Sequence, residues 1–287
     1  MLAAAILLAA IVTGCADDGG APSDAAARFG YTETVQGRAL AEEAIAAANL
    51  ILGPSRTIEL VGAWQEAPNG AAERRSVRVQ LLAPDQLPKR LFLVVPARCD
   101  CVFLQPHALT RWLDDRTTAR PDQMLTVDRA LLLAFMLLHE VGHVVDDHPG
   151  QFETTAAGGR VNFEASEQKV RETEADRFVI EQIKAAATPS GKNVSRWLAA
   201  TRLQTTLANL AWNLSAIRYL DHFGATTLAT PSVFGDATYT HPNFELRLLT
   251  VNHALWGDNA SQVALQAFEE RRRRASEPPA VLYRREP

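Results

Sequence analysis

The chain has 287 residues, with 29 Lys and Arg against 33 Asp and Glu, a formal net charge of −4. A balance this close to neutral gives no electrostatic case for nucleic acid as the main partner. The absence of any unbroken run of about 20 apolar residues excludes a polytopic membrane protein, and three cysteines are too few for a disulfide-built scaffold. With 47% hydrophobic residues there is ample material for a buried core, in one large domain or two small ones.

Leu2 to Val12 form an apolar run too short to span a bilayer but suited to the core of a signal peptide. It ends in Val12-Thr13-Gly14-Cys15, small residues leading into a cysteine. That pattern resembles the bacterial lipobox, which implies that Cys15 is diacylated and becomes the mature N-terminus. The alternative is an ordinary signal peptide with a chance cysteine, and the lack of Lys or Arg ahead of the apolar run departs from the lipobox pattern. Ala16 to Gly30 are rich in Asp, Gly, Ala and Ser with no apolar period, as in a flexible tether. The expected organisation is a lipoprotein signal peptide over 1–14, a tether over 15–30 and a single domain over 31–287. It places the protein on the bacterial cell envelope, membrane-held through the lipid on Cys15, on the periplasmic or extracytoplasmic face, and on the outer membrane in a Gram-negative host. Cys99 and Cys101 are then an even number in an oxidising compartment, open to a C-x-C disulfide or to two free thiols.

Arg38 to Leu52 predict a helix stopped by Gly53-Pro54. Short β-like runs follow at Thr57–Trp64, Val77–Leu81, Leu91–Val95 and Val102–Leu104, the second with clear two-residue alternation. After Asp128 the pattern is helical almost to the end, over roughly 128–147, 163–186, 194–222, 243–256 and 259–274. A small mixed β-sheet packed beside several helices is an α+β fold.

The chemistry concentrates in His139-Glu140-Val141-Gly142-His143. An H-E-x-x-H pattern arises by chance in about one in a hundred chains of this composition, so its context decides. The i, i+4 spacing puts both histidines on one helix face, able to grip one ion. Leu132, Met136, His139 and His143 form one stripe, so the histidines continue the core-facing side. Burying two imidazoles there costs free energy unless something ligates or hydrogen-bonds them. Glu140, beside the first histidine, is placed as a general base toward water activated by the ion.

Two histidines do not make a stable zinc site, so a third ligand is needed. Glu172, Asp176, Val179 and Ile183 share a stripe on the next predicted helix, which turns two carboxylates inward. Glu172 is the expected ligand, and Asp176, one turn on, would fix the tautomer of a ligand histidine. Glu164 and Glu167 are weaker candidates, because neither has an Asp four residues later; Glu174 reads as solvated. Further on, Pro242 suits the first turn of a helix, putting His241 at its mouth. Arg247 lies on that helix's buried stripe with Phe244, Val251 and Leu255. Taken alone, His241 reads as a capping residue and Arg247 as a structural ion-pair partner rather than as site residues.

H-E-x-x-H, then E-x-x-A-D on a following helix, then H-P with Arg six residues after the His, resembles the gluzincin metallopeptidases. Within them the pattern is most similar to metallopeptidase family forty-eight, the group of HtpX and the CAAX prenyl protease, here as a soluble lipoprotein-type member. The resemblance covers roughly residues 126–255. It implies a zincin-type helical core, one zinc ion per chain held by His139, His143 and Glu172, and Glu140 as the general base. It also implies that His241 and Arg247 help hold the transition state, and that the substrates are proteins or peptides. An extended substrate would pair with an edge strand of the sheet, for which Val102–Gln105 is the candidate; Cys99 and Cys101 would anchor the lip of the same cleft. The other class of function is a non-catalytic zinc-binding lipoprotein acting as a chaperone or assembly factor. That class predicts loss of Glu140 or of a ligand, and both are retained. His107, His148, His222 and His253 have no partners at ligand-like spacing, and the five tryptophans read as core anchors.

Overall fold

The computed structural model describes residues 35–61, 76–82, 93–96, 99–106, 127–151, 165–188, 193–224 and 244–274. The expected signal peptide, Cys15, the tether, Glu164 and His241 lie outside them.

Alanines and aliphatics at three- and four-residue intervals give helix α1, Val35–Leu52, a single apolar face. Ala41, Ala44, Ile45, Ala48, Ile51 and Leu52 along it are buried. Gly53 ends the helix with a φ of +70°, a left-handed conformation that costs glycine no Cβ clash. The Arg196 guanidinium lies 3.2 Å from where a Cβ would sit, and its Nε donates to the Ile51 carbonyl at 3.1 Å.

Four strands follow among the described residues: β1 Thr57–Val61, β2 Ser76–Leu81, β3 Leu93–Val94 and β4 Cys101–Leu104. The sheet order is β1-β2-β4-β3. The pairs β1–β2 and β2–β4 are parallel and β3–β4 is antiparallel, with Leu93 opposite Leu104 and Val94 opposite Phe103. The small mixed sheet of an α+β fold is therefore present. The expected edge is not. β4, which holds Val102 to Leu104, is flanked on both sides, and among the described residues β3 is the edge strand beside the helices. Strand order is a non-local property; β2 reaches past β3 in the chain to pair with β4. At the opposite edge Asn49 of α1 takes both backbone groups of Ile58, donating to its carbonyl at 2.9 Å and accepting its N–H at 2.7 Å.

The helical half comprises α2 Arg129–Val145, α3 Ala165–Ala187, α4 Val194–Gly224, α5 Phe244–Trp256 and α6 Asn259–Arg274. Each boundary falls within two residues of the sequence expectation. Asp128 caps α2, its carboxylate accepting the Leu131 N–H at 3.0 Å. α2 packs on α1, α3 and α4 and touches β3. Leu132, Leu137, Leu138, Val179, Ile183, Leu203, Leu207, Leu249 and Phe268 share one core with α1 and the sheet. Three of the five tryptophans are a correction: Trp197, Trp212 and Trp256 are exposed, on helix faces that the core does not need, while Trp64 and Trp112 lie outside the described residues. Among the described residues no helix is long and apolar enough to cross a membrane.

Candidate metal centre

The approach of α2 and α3 builds the site. A Cβ on Gly142 would lie 3.0 Å from Ala175 Cα and 3.1 Å from its carbonyl oxygen, so the two helices touch backbone to side-chain-free backbone. That contact brings the histidine stripe of α2 against the carboxylate stripe of α3. His139, His143, Glu172 and Asp176 are all buried.

Three donor atoms converge. His139 Nε2 lies 3.1 Å from Glu172 Oε2 and 3.1 Å from His143 Nε2, and His143 Nε2 lies 3.5 Å from Glu172 Oε1. Ligands at zinc distances of about 2.0–2.1 Å in tetrahedral array are about 3.3 Å apart, close to the separations of the two nitrogens from each other and from one or other oxygen of the Glu172 carboxylate. His139, His143 and Glu172 are the one group of this kind among the described residues. Gln168 Nε2 donates to Glu172 Oε1 at 3.2 Å and helps orient it.

The far side of His139 is held by charge. Its Nδ1 lies 3.0 Å from Asp176 Oδ1 and 3.1 Å from Arg247 Nη2. A carboxylate only accepts, so Nδ1 donates to Asp176 and, without metal, Nε2 donates to Glu172; an ion bound at Nε2 would displace only the second of these protons. Arg247 on α5 grips Asp176 at two points and reaches Glu172 Oε2 at 3.3 Å. Burial and the Arg247 charge push the His139 imidazole down, but hydrogen bonds to Asp176 and Glu172 outweigh them and raise it to about 9 in the absence of metal. Burial alone would push Asp176 up; the charge and hydrogen bonds of Arg247, with those of His139, bring it down to about 2. Arg247 itself is raised against its own burial by Asp176 and Glu172.

Glu140, His143 and Glu172 open onto a cleft whose other walls are Leu93, Val94 and Val95 of the edge-strand region with Pro149, Gln151 and Gln168. Among the described residues the Glu140 carboxylate has no hydrogen-bond partner. Gln151 N–H donates to the Val95 carbonyl at 2.8 Å, tying two of the lining residues together. Cys99 and Cys101 form a disulfide at the start of β4, but neither lines this cleft. Glu167 is paired with Arg171.

Two residues were missed. His148 is buried, not superficial, and its Nδ1 lies 2.9 Å from His143 Nδ1. Glu174 is not simply solvated: its Oε2 lies 3.2 Å from His148 Nε2. The usable signal was the five-residue separation of His143 and His148 across a helix end, which a Schellman closure brings together.

Fold and site thus define an α+β chain with an HExxH-type helix and one buried two-histidine, one-carboxylate group able to hold a metal. The model of the family described as Peptidase U49 matches residues 129–266, a span that contains every member of this group and Asp176 and Arg247. The chain is therefore similar to a peptidase family. No curated protein and no solved structure matches it.

Proposed function

We propose that this protein is a zinc-dependent endopeptidase of the bacterial cell envelope, anchored by lipid on Cys15 and acting on misfolded or assembling proteins. The observation that carries the chemistry is the convergence of His139, His143 and Glu172 within 3.1–3.5 Å at a cleft that also receives Glu140. The match to a peptidase family over 129–266 supports the hydrolase class. The order H-E-x-x-H, E-x-x-A-D and H-P with the later Arg247 supports the likeness to metallopeptidase family forty-eight in particular.

His139, His143 and Glu172 would hold the ion. A bound zinc supplies Lewis acidity, polarising a carbonyl and making water at the site acidic, with a pKa near about 7. Glu140 accepts the proton of the attacking water and returns it to the leaving amine. Asp176 keeps the Nδ1 proton on His139, and Arg247 holds Asp176 and Glu172 in place against their mutual repulsion. His241 is assigned to the oxyanion by the family resemblance. An extended substrate would run along β3, the edge that borders the cleft, pairing through its backbone.

The test is metal content and casein cleavage of the chain from Ala16 onward, beside Glu140→Gln. Zinc near one equivalent in both proteins, with cleavage by the unmutated one alone, is the expected result. Absence of zinc from both would sink the proposal.

A further inference from the structure

Helix α2 ends in a tight closure at its last metal-facing histidine. Asp147 has a φ of 55°, in the left-handed region that Asp tolerates better than most residues. Its N–H donates to the Val144 carbonyl at 3.4 Å, and the His148 N–H donates to the His143 carbonyl at 3.0 Å. These are the two bonds of a Schellman motif, which packs the residue after the left-handed position against the residue five before it. That pair is His148 and His143, so backbone and side chains bond the same two residues.

The protons in this chain of groups can be assigned. A carboxylate only accepts, so the 3.2 Å contact of Glu174 Oε2 with His148 Nε2 places a proton on that nitrogen. With His148 neutral, this is its single N–H, and its Nδ1 is a bare acceptor. The proton in the 2.9 Å Nδ1–Nδ1 contact therefore belongs to His143. His143 Nε2 is then bare, and it is the atom turned toward His139 and Glu172.

We propose that His148 and Glu174 are positioning residues of the metal centre: together they lock His143 in the Nδ1–H tautomer and aim its Nε2 at the ion. The proposal rests on the metal centre set out above. It makes the two histidines of the HExxH helix equivalent in kind. His139 is fixed directly by Asp176, and His143 is fixed through His148 by a second carboxylate of the same helix α3.

The experiment compares the full chain with His148→Ala, His148→Asn and Glu174→Ala. It reads the zinc dissociation constant by chelator competition, the melting temperature of the metal-free protein, and the tautomer of His143 by imidazole nitrogen NMR. Loss of an outer partner of a ligand histidine typically weakens metal binding about 10- to 100-fold, and that is expected for His148→Ala. A smaller loss in the same direction is expected for Glu174→Ala. His148→Asn, whose side-chain oxygen can accept where Nδ1 does, should recover most of the affinity and the Nδ1–H tautomer. If His148→Ala fails to fold, Glu174→Ala decides, because its side chain is partly exposed and leaves no buried void. Unchanged zinc affinity with a lowered melting temperature in both alanine variants would overturn the proposal, reducing the pair to a helix cap while the metal centre stands. His148→Asn binding as weakly as His148→Ala would overturn it too. If the unmutated chain binds no zinc, the metal centre falls and the proposal falls with it.

Discussion

Arg247 and Asp176, 71 residues apart, form a two-point ion pair: Nε to Oδ2 at 2.9 Å and Nη2 to Oδ1 at 2.8 Å. The same guanidinium lies 3.3 Å from Glu172 Oε2, so one cation from α5 contacts both inward carboxylates of α3. Removing one partner of a buried pair leaves the other charge uncompensated, which typically costs about 3–5 kcal/mol. Arg247→Ala should destabilise the metal-free protein by about that amount in chemical denaturation. Arg247→Lys should recover little of it, because a point charge cannot reproduce the planar fork. A lysine variant as stable as the unmutated protein would show that the two-point geometry is unimportant.

The buried cluster also sets opposite pH dependences for the metal-free and metal-binding states. His139 is raised from its ordinary 6.5 to about 9, so the folded metal-free protein binds its proton more tightly than the unfolded chain does. That contribution is whole below 6.5 and is lost as pH rises through 9. Asp176, lowered from 3.8 to about 2, contributes above 3.8, and its share is lost as pH falls toward 2. Zinc needs His139 without its Nε2 proton, so zinc affinity should rise across the same 6.5–9 window in which metal-free stability declines. Melting temperatures of the metal-free protein and zinc competition titrations, both taken across that range, check the two slopes. A metal-free melting temperature that stays flat there would count against a raised His139.

Gly142→Ala sets helix propensity against packing. Alanine is favoured over glycine in a helix interior by about 1 kcal/mol. Its Cβ would meet the Ala175 backbone at 3.0 and 3.1 Å and Phe178 Cβ at 3.2 Å. Backbone cannot swing aside, and overpacking of this kind costs about 1–3 kcal/mol. A net loss of stability is expected, with weaker zinc binding because His139 and His143 separate from Glu172. A stabilised variant with unchanged zinc affinity would mean that the helices part freely at this point.

Asn49→Ala probes the fold at a distance from the site. Asn49 is the amide that occupies both backbone groups of Ile58. Hydrogen bonds of this type contribute about 0.5–1.5 kcal/mol each, so a loss of about 1–3 kcal/mol is expected in denaturation. Cleavage per folded molecule should stay unchanged; a drop in it would tie the β1 edge to the cleft.

The sequence determined what depends on local period and local chemistry. Helix spacing of 3.6 residues is a short-range property, so the stripe of Leu132, Met136, His139 and His143 and that of Glu172, Asp176, Val179 and Ile183 could be read from the chain, together with the inward turn of their polar members. Asp128 and Gly53 likewise marked helix ends, because capping needs only neighbouring groups. Arg247 was legible as buried, while its partner was not, since nothing within α5 names a carboxylate on α3. Tertiary structure alone decided the rest. It put β3 and not β4 at the sheet edge, because strand order depends on pairing across long stretches of chain. It left Trp197, Trp212 and Trp256 exposed, because a large apolar side chain is buried only where another element covers it. It turned His148 from a surface residue into a partner of His143, with Glu174 as the partner of His148 in turn, because a single left-handed residue at Asp147 reverses the chain at the end of α2. A site made from three helices exists only after non-local burial has brought their faces together.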